Sequence, residues 1–134
     1  MASGRLLFVS GHDPEAGGRL RYRGRVGREV SLSAARAAVR LAAANALASA
    51  RATVGDDRRL GRCLALTCFV DAAPDVIGTA SGGGLSATAL VGGALALVRR
   101  VLGQAPPVVW LRPATGLAGG MPVEVELTLE VREP

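Results

Sequence analysis

The stretch "MPVEVELTLEVRE", residues 121–133, alternates apolar and polar side chains along most of its length. Successive side chains of an extended strand point to opposite faces, so this alternation predicts a strand with one buried and one polar face. The apolar set is Val123, Val125, Leu127, Leu129 and Val131, and the polar set is Glu124, Glu126, Thr128 and Glu130.

A second run, "GRCLALTCFVD" at residues 61–71, is apolar on both of its faces. Such a strand is typical of a sheet that is covered on both sides. Cys63 and Cys68 are separated by an odd spacing, which places them on opposite faces of a regular strand about 16 Å apart, too far for a disulfide. We therefore expect two reduced core cysteines, as in a cytosolic protein.

The segment "SLSAARAAVRLAAANALASARATVG", residues 31–55, repeats apolar side chains at helical spacing. The spacing predicts a helix from Ala34 to Thr53. Ser31 or Ser33 can cap its start, and Gly55 can end it.

A second helix is predicted in "LSATALVGGALALVRRVLG", residues 85–103. Its apolar face is Leu90, Ala94, Leu97 and Val101. Gly92 and Gly93 lie inside this segment, where each costs about 1 kcal/mol relative to alanine.

Three further strands complete the order. "RLLFVSG" (5–11) and "GRLRYRGRVG" (18–27) predict a hairpin with a longer loop, and "VVWLR" (108–112) predicts a strand before the last one. The order is ββ, helix, strand, helix, ββ, which predicts an α+β fold in which two helices pack on one face of a sheet. Residues 1–134 are expected to form a single domain. Two helices leave the other sheet face bare, which favours an oligomer.

The chain has 134 residues, a net charge of +5 and 16 basic residues, all of them arginine. Arg19, Arg21, Arg23 and Arg25 occupy alternate positions, so on a strand they would share one side. They could pair with the acidic row Glu124, Glu126 and Glu130, within the chain or between subunits, bind an anionic substrate, or bind nucleic acid. Pairing is favoured, since facing opposite charges stabilise a sheet and only Tyr22 offers an aromatic platform for bases.

Several classes of site lack support in the sequence. The glycine-rich segment at residues 78–90 has neither nucleotide-binding spacing nor a lysine, and one His and two Cys do not make a metal site. The longest weakly polar stretch has 14 residues, short of the ~20 that span a bilayer, and no signal peptide is evident, so we expect a soluble cytoplasmic protein. His12 is either a turn residue or a general base. Glu124 is either a solvated or paired carboxylate or a group that activates water.

Nearly the whole chain is spanned by four segments in a fixed order: "LLFVSGHDP", "YRGRVGREVSLSAARAAVRLAAANALASARATVGD", "CLALTCFVDAAPD" and "GMPVEVELTLEV". Together they resemble the reactive-intermediate deaminase family, also called the Rid or YjgF family. The resemblance implies a chorismate-mutase-like α+β fold with a mixed sheet. It also implies a homotrimeric barrel with small-molecule clefts between subunits. Active relatives hydrolyse reactive enamines and imines to keto acids and ammonia without a cofactor.

By resemblance, Ser10, Gly11 and Pro14 match the family's turn at the cleft, and Glu124 matches the acidic residue that positions water. Leu111 falls where a backbone group contacts the ligand.

Two positions depart from the family's pattern. Val109 replaces the carboxylate-binding arginine and is followed by Trp110, which favours a more apolar ligand, and Ala80 replaces an asparagine. Arg112 could take over the lost bidentate grip only if Pro113 or a bulge turned it into the cleft, because its spacing from Val109 is odd.

Three functions follow as hypotheses. The first is an enamine or imine hydrolase acting on a small reactive metabolite, with Glu124 positioning water. The second is a non-catalytic trimeric protein that binds a small molecule at its subunit interfaces. The third, RNA binding or cleavage, depends only on the arginine excess. No membrane partner, metal or cofactor is expected.

Overall fold

A computed structural model of the protein describes residues 5–74 and 87–133. Its strands and helices, in chain order, are β1 Arg5–His12, β2 Glu15–Ala16, β3 Arg19–Leu20, α1 Leu32–Val54, β4 Leu60–Val70, α2 Ala87–Leu102, β5 Val108–Pro113 and β6 Val123–Val131. Single 3-10 turns, Asp57–Arg59 and Ala118–Gly120, precede β4 and β6. No helix in the described residues is long and apolar enough to cross a membrane.

The main sheet has the strand order β1-β6-β4-β5. Strand β6 pairs antiparallel with both β1 and β4, and β4 pairs parallel with β5, so the sheet is mixed. The apolar row of β6 is buried from Val123 to Leu129 in a core shared with α1 and α2. The predicted α+β fold, with a mixed sheet and two helices on one face, is confirmed.

Helix α1 begins and ends where local sequence signals predict. The Ser31 side chain accepts a hydrogen bond from the Ala34 backbone N–H at 3.1 Å, and Gly55 ends the helix in the left-handed conformation. Its buried stripe consists mainly of alanine: Ala35, Ala38, Val39, Ala42, Ala43, Ala46, Leu47 and Ala50. Small side chains let the helix lie close to the sheet.

The second helix, α2, confirms the predicted segment. Leu90 and Ala94 are buried as expected, while Leu97 and Val101 are only partly buried at the edge of the core. Val91 and Val98 complete the buried face.

The predicted placement of the two cysteines is wrong. The pairing of β4 with β6 shifts register between Cys63 and Ala65, which is the signature of a bulge. The extra residue reverses the alternation, so Cys63 lies opposite Leu129 and Cys68 lies opposite Val125, both on the helix-covered face. The cysteines are free, as expected, and both are buried.

The alternating arginines also differ from the prediction. Only Arg19 and Leu20 form a strand, and they pair with β2 in a separate two-stranded sheet rather than with β1 or β6. Gly24 and Gly27 adopt positive φ angles of 108° and 90°, which interrupt an extended chain.

Because this segment leaves the sheet, its arginines find other partners. Arg25 pairs with Asp71 at 3.2 Å, and Arg23 donates to the carbonyl of Gly119 at 2.8 Å. Glu130 of the acidic row instead pairs with Arg62 at 2.7 Å. The predicted pairing of the two charged rows within the chain is therefore wrong, and pairing between subunits stays a prediction.

The sheet face opposite the helices, called the outer face here, is not covered by any of the residues that the structure describes. It carries large exposed apolar side chains: Leu6, Phe8, Val108 and Trp110. The described part of the chain therefore covers β4 on one side, whereas the sequence predicted cover on both sides.

Candidate functional site

Glu124 lies on the outer face at one end of the sheet. Its neighbours on β6, Val123 and Val125, are buried toward the helices, so its own side chain points the other way. Phe69 of β4 lies directly opposite Glu124, and Arg112 of β5 lies opposite Phe69. These three residues form a row across the outer face.

The β1 strand meets Glu124 at an irregularity. The β1–β6 register shifts between Val9 and His12, which leaves Ser10 and Gly11 in a bulge beside the start of β6. A Cβ atom added at Gly11 would overlap the Glu124 carboxyl group, so only glycine leaves room for this carboxylate. The predicted residues Ser10, Gly11 and Glu124 are therefore brought together.

The electrostatic setting of Glu124 makes its carboxyl group hold a proton more strongly than usual. Partial burial raises its pKa, and the negative charges of Glu126 and Asp13 raise it further, while His12 acts in the opposite direction. A carboxylate whose proton affinity is raised is a stronger base than one in open water.

Two polar side chains of α1 hold the loop that follows the bulge. Asn45 donates to the backbone carbonyls of Asp13 and Glu15 at 2.9 and 2.8 Å. Ser49, one turn later, lies 2.8 Å from the His12 ring. Neither Asn45 nor Ser49 was identified as a site residue from the sequence, although an amide and a hydroxyl side chain stand out in the alanine-rich segment that forms α1. Pro14, the third predicted turn residue, is fully buried in this loop.

The predicted β5 residues divide between the two faces. Val109 and Leu111 lie opposite Leu66 and Cys68, and their side chains pack against the core under the helices. The structure therefore separates these two side chains from Glu124.

Trp110 and Arg112 lie on the outer face. Trp110 is 51% exposed, and the Arg112 guanidinium stacks 5.0 Å from the centre of its ring. The β4–β5 register is regular, so Arg112 shares the face of Glu124 without any bulge. Arg112 and Val109 thus lie on opposite faces, as their odd spacing predicts, and a role of Arg112 in ligand binding stays a prediction.

A depression of about 230 Å³ lies beside this row on the outer face. It is lined by Phe8, Val9, Ser10, Thr67, Glu126, Leu127 and Thr128. Hydroxyl groups and one carboxylate thus lie next to an exposed aromatic ring, a suitable surface for a small polar molecule.

Two features of the sequence analysis fall outside the described residues. Ala80 lies there, as does most of the glycine-rich segment at 78–90. Among residues 5–74 and 87–133, no group of three or more His, Cys, Asp or Glu side chains is arranged to hold a metal ion.

No protein-family model and no curated protein matches the sequence. Among solved structures, the chain is similar to Atu1372 of Agrobacterium tumefaciens, a protein of unknown function, with 30% identity and a TM-score of 0.79 over 98% of this chain and 79% of that one. It is also similar to a candidate endoribonuclease of Shewanella oneidensis MR-1, with 24% identity and a TM-score of 0.81 over 93% and 78% of the two chains. YyfB of Yersinia pestis, from the conserved Rid protein family, shares the fold at 18% identity and a TM-score of 0.54 over 95% and 79% of the chains.

Proposed function

We propose that the protein hydrolyses a small reactive enamine or imine. The chain has the Rid/YjgF fold and belongs to the same family as the Agrobacterium protein. The observation that carries the proposal is the Glu124 carboxyl group, which rests above Gly11 in a partly desolvated position with a raised pKa. The resemblance to the Rid family assigns the positioning of water to this same residue.

The reaction needs one water and one base. Glu124, when ionised, accepts a hydrogen bond from the water and removes its proton as the oxygen attacks the imine carbon. That proton passes to the imine nitrogen, which completes the carbinolamine. Glu124 then transfers the proton of the carbinolamine hydroxyl to the nitrogen, the carbon–nitrogen bond breaks, and ammonia and a carbonyl compound leave. An enamine enters the same route after it takes up a proton on carbon and becomes an imine.

Arg112 and Trp110 suit an anionic group with a small apolar part. Among the described residues Arg112 makes no ion pair, and its guanidinium is held in place over the Trp110 ring. Two strand spacings, about 10 Å, separate the backbones of Arg112 and Glu124. A small carboxylate-bearing imine fits between a cation and a base at that separation. In this proposal Arg112 provides the grip that Val109 lacks.

The proposal includes a homotrimer. The exposed apolar side chains of the outer face, such as Phe8 at 73% exposure, need a cover, and other copies of the chain would supply it. Association of these copies would also exclude water from the row formed by Glu124, Phe69 and Arg112, and the lower dielectric constant would strengthen each polar contact there.

Ammonia release tests the proposal. Imines generated in situ by an amino-acid oxidase, from a panel of acidic, apolar and small amino acids, are offered to the wild type and to Glu124→Gln. We expect the substitution to lower the rate by about 10²-fold or more, since it removes the base but keeps the shape. Glu130→Gln is the matched control, because Glu130 is on the same strand but pairs with Arg62, and it should keep the wild-type rate.

The pH profile provides a second readout. The ionised carboxylate is the active form, so the rate should rise with pH through the pKa of Glu124, and the raised pKa puts this rise above the usual range of a glutamate. A wild-type rate equal to the uncatalysed rate across the panel would reject the hydrolase and leave a protein that only binds small molecules.

A further inference from the structure

His12, the only histidine of the chain, connects the β1 bulge to α1. Its Nδ1 lies 2.7 Å from the carbonyl oxygen of Ser10, and its Nε2 lies 2.8 Å from the Ser49 hydroxyl. A carbonyl oxygen can only accept, so Nδ1 carries a hydrogen and donates it. The ring therefore holds the backbone of the bulge from one side and the helix from the other.

Both protonation states of His12 fit this arrangement. In the neutral ring Nε2 accepts a hydrogen bond from the Ser49 hydroxyl, and in the charged ring Nε2 donates to the same oxygen. The Nδ1 donation to Ser10 is the same in both states. The imidazole can thus change its charge without leaving its place.

We consider the described residues that line the depression beside His12 or act on the charge of Glu124. Apart from His12 itself, every charged residue in this set is acidic. Asp13 and Glu15 share with His12 a depression of about 410 Å³ against α1, and Glu124 and Glu126 follow on β6. The residues that α1 presents here are uncharged: Leu41, Asn45 and Ser49. A positive charge on His12 favours the ionised form of Glu124, whereas Asp13 and Glu126 oppose it.

We propose that His12 is a positioning residue for Glu124. It fixes the Ser10–Gly11 bulge to α1, so that the Glu124 carboxylate keeps its place above Gly11, and its charge acts on that carboxylate through space. The mechanical part follows from the contacts, because the atom that His12 holds, the Ser10 carbonyl, directly precedes the glycine that Glu124 touches. The proposal rests on the proposed function only for its catalytic consequence.

The test follows the carboxyl carbon of Glu124 by NMR as a function of pH. In His12→Gln, which keeps a polar side chain but has no charge, the titration midpoint of Glu124 should move to higher pH. In Glu126→Gln it should move to lower pH, because that change removes a negative neighbour. A midpoint that His12→Gln leaves in place would overturn the electrostatic part of the proposal.

Ser49→Ala tests the anchoring and does not require His12 to be changed. We expect faster amide hydrogen exchange at Gly11 and His12 in this variant and restoration by Ser49→Thr, which returns the hydroxyl. Unchanged exchange would overturn the anchoring.

Neither measurement needs turnover, so both remain informative if no substrate is hydrolysed. Where ammonia release is observed, the acid limb of the rate should move together with the Glu124 midpoint in His12→Gln.

Discussion

Cys63 and Cys68 lie under the helices, and no charged group among the described residues stabilises a thiolate at either position. Burial raises the pKa of Cys63 to about 11 and that of Cys68 to about 12. The Cys63 thiol also donates a hydrogen bond to the Ala65 carbonyl. At neutral pH both are almost entirely thiols, which are weak nucleophiles. They are packing residues of the core.

This setting predicts slow chemical labelling. In the folded protein both thiols should resist a disulfide-exchange reagent at pH 8, and both should react at once when urea unfolds the chain. The variants Cys63→Ser and Cys68→Ser assign any labelling to a single thiol. Immediate labelling of either cysteine without denaturant would contradict this account.

The residues that periodicity predicted well are those on regular strands. The alternation of β6 correctly placed Glu124 opposite the apolar row. It failed for Cys63, because a bulge in β4 shifts the alternation by one residue and leaves no mark in the composition. For β5 the alternation held, because Val109 and Arg112 lie on opposite faces, as their odd spacing predicts.

At the scale of elements, α1 was predictable because its signals are local. A serine cap, a long alanine run and a glycine stop all act within one turn of the helix. The segment of alternating arginines was not predictable in the same way, since its strand pattern is overridden by glycines at positive φ. Asn45 was missed because its partners are about 30 residues away in sequence.

The cap of α1 gives a quantitative prediction. Ser31→Ala should lower the free energy of unfolding by about 1 kcal/mol, because it removes the acceptor for the Ala34 N–H at the start of the helix. Ser33→Ala is the matched control, since Ser33 is an exposed serine inside the helix, and it should change the stability little. Both are measured by urea unfolding at one protein concentration, and equal losses in the two variants would contradict the role of Ser31.

At the scale of the whole molecule, the outer face of the sheet carries both exposed apolar side chains and the residues of the candidate site. The sequence predicted that two helices leave one sheet face bare, and within residues 5–74 and 87–133 no element covers the outer face. The same face carries Glu124, Phe69 and Arg112, so whatever covers it also closes the site. Trimerisation stays a prediction, and it links assembly to activity.

Phe8→Glu tests whether the outer face is the interface between copies of the chain. Phe8 is 73% exposed at the middle of β1, so a charge there should leave the single chain folded but oppose burial of the outer face in an assembly. Wild-type protein should scatter light as a particle of about three times the 13.6 kDa of one chain, and Phe8→Glu should scatter as a single chain with unchanged circular dichroism.

Leu32→Glu is the control, because Leu32 is also exposed and apolar, at 43%, but it lies at the start of α1, away from this face, and should keep the assembly. If the wild type is itself a single chain in solution, or if Phe8→Glu assembles as the wild type does, the outer face is not the interface, and the closing of the site around Glu124 must come from elsewhere.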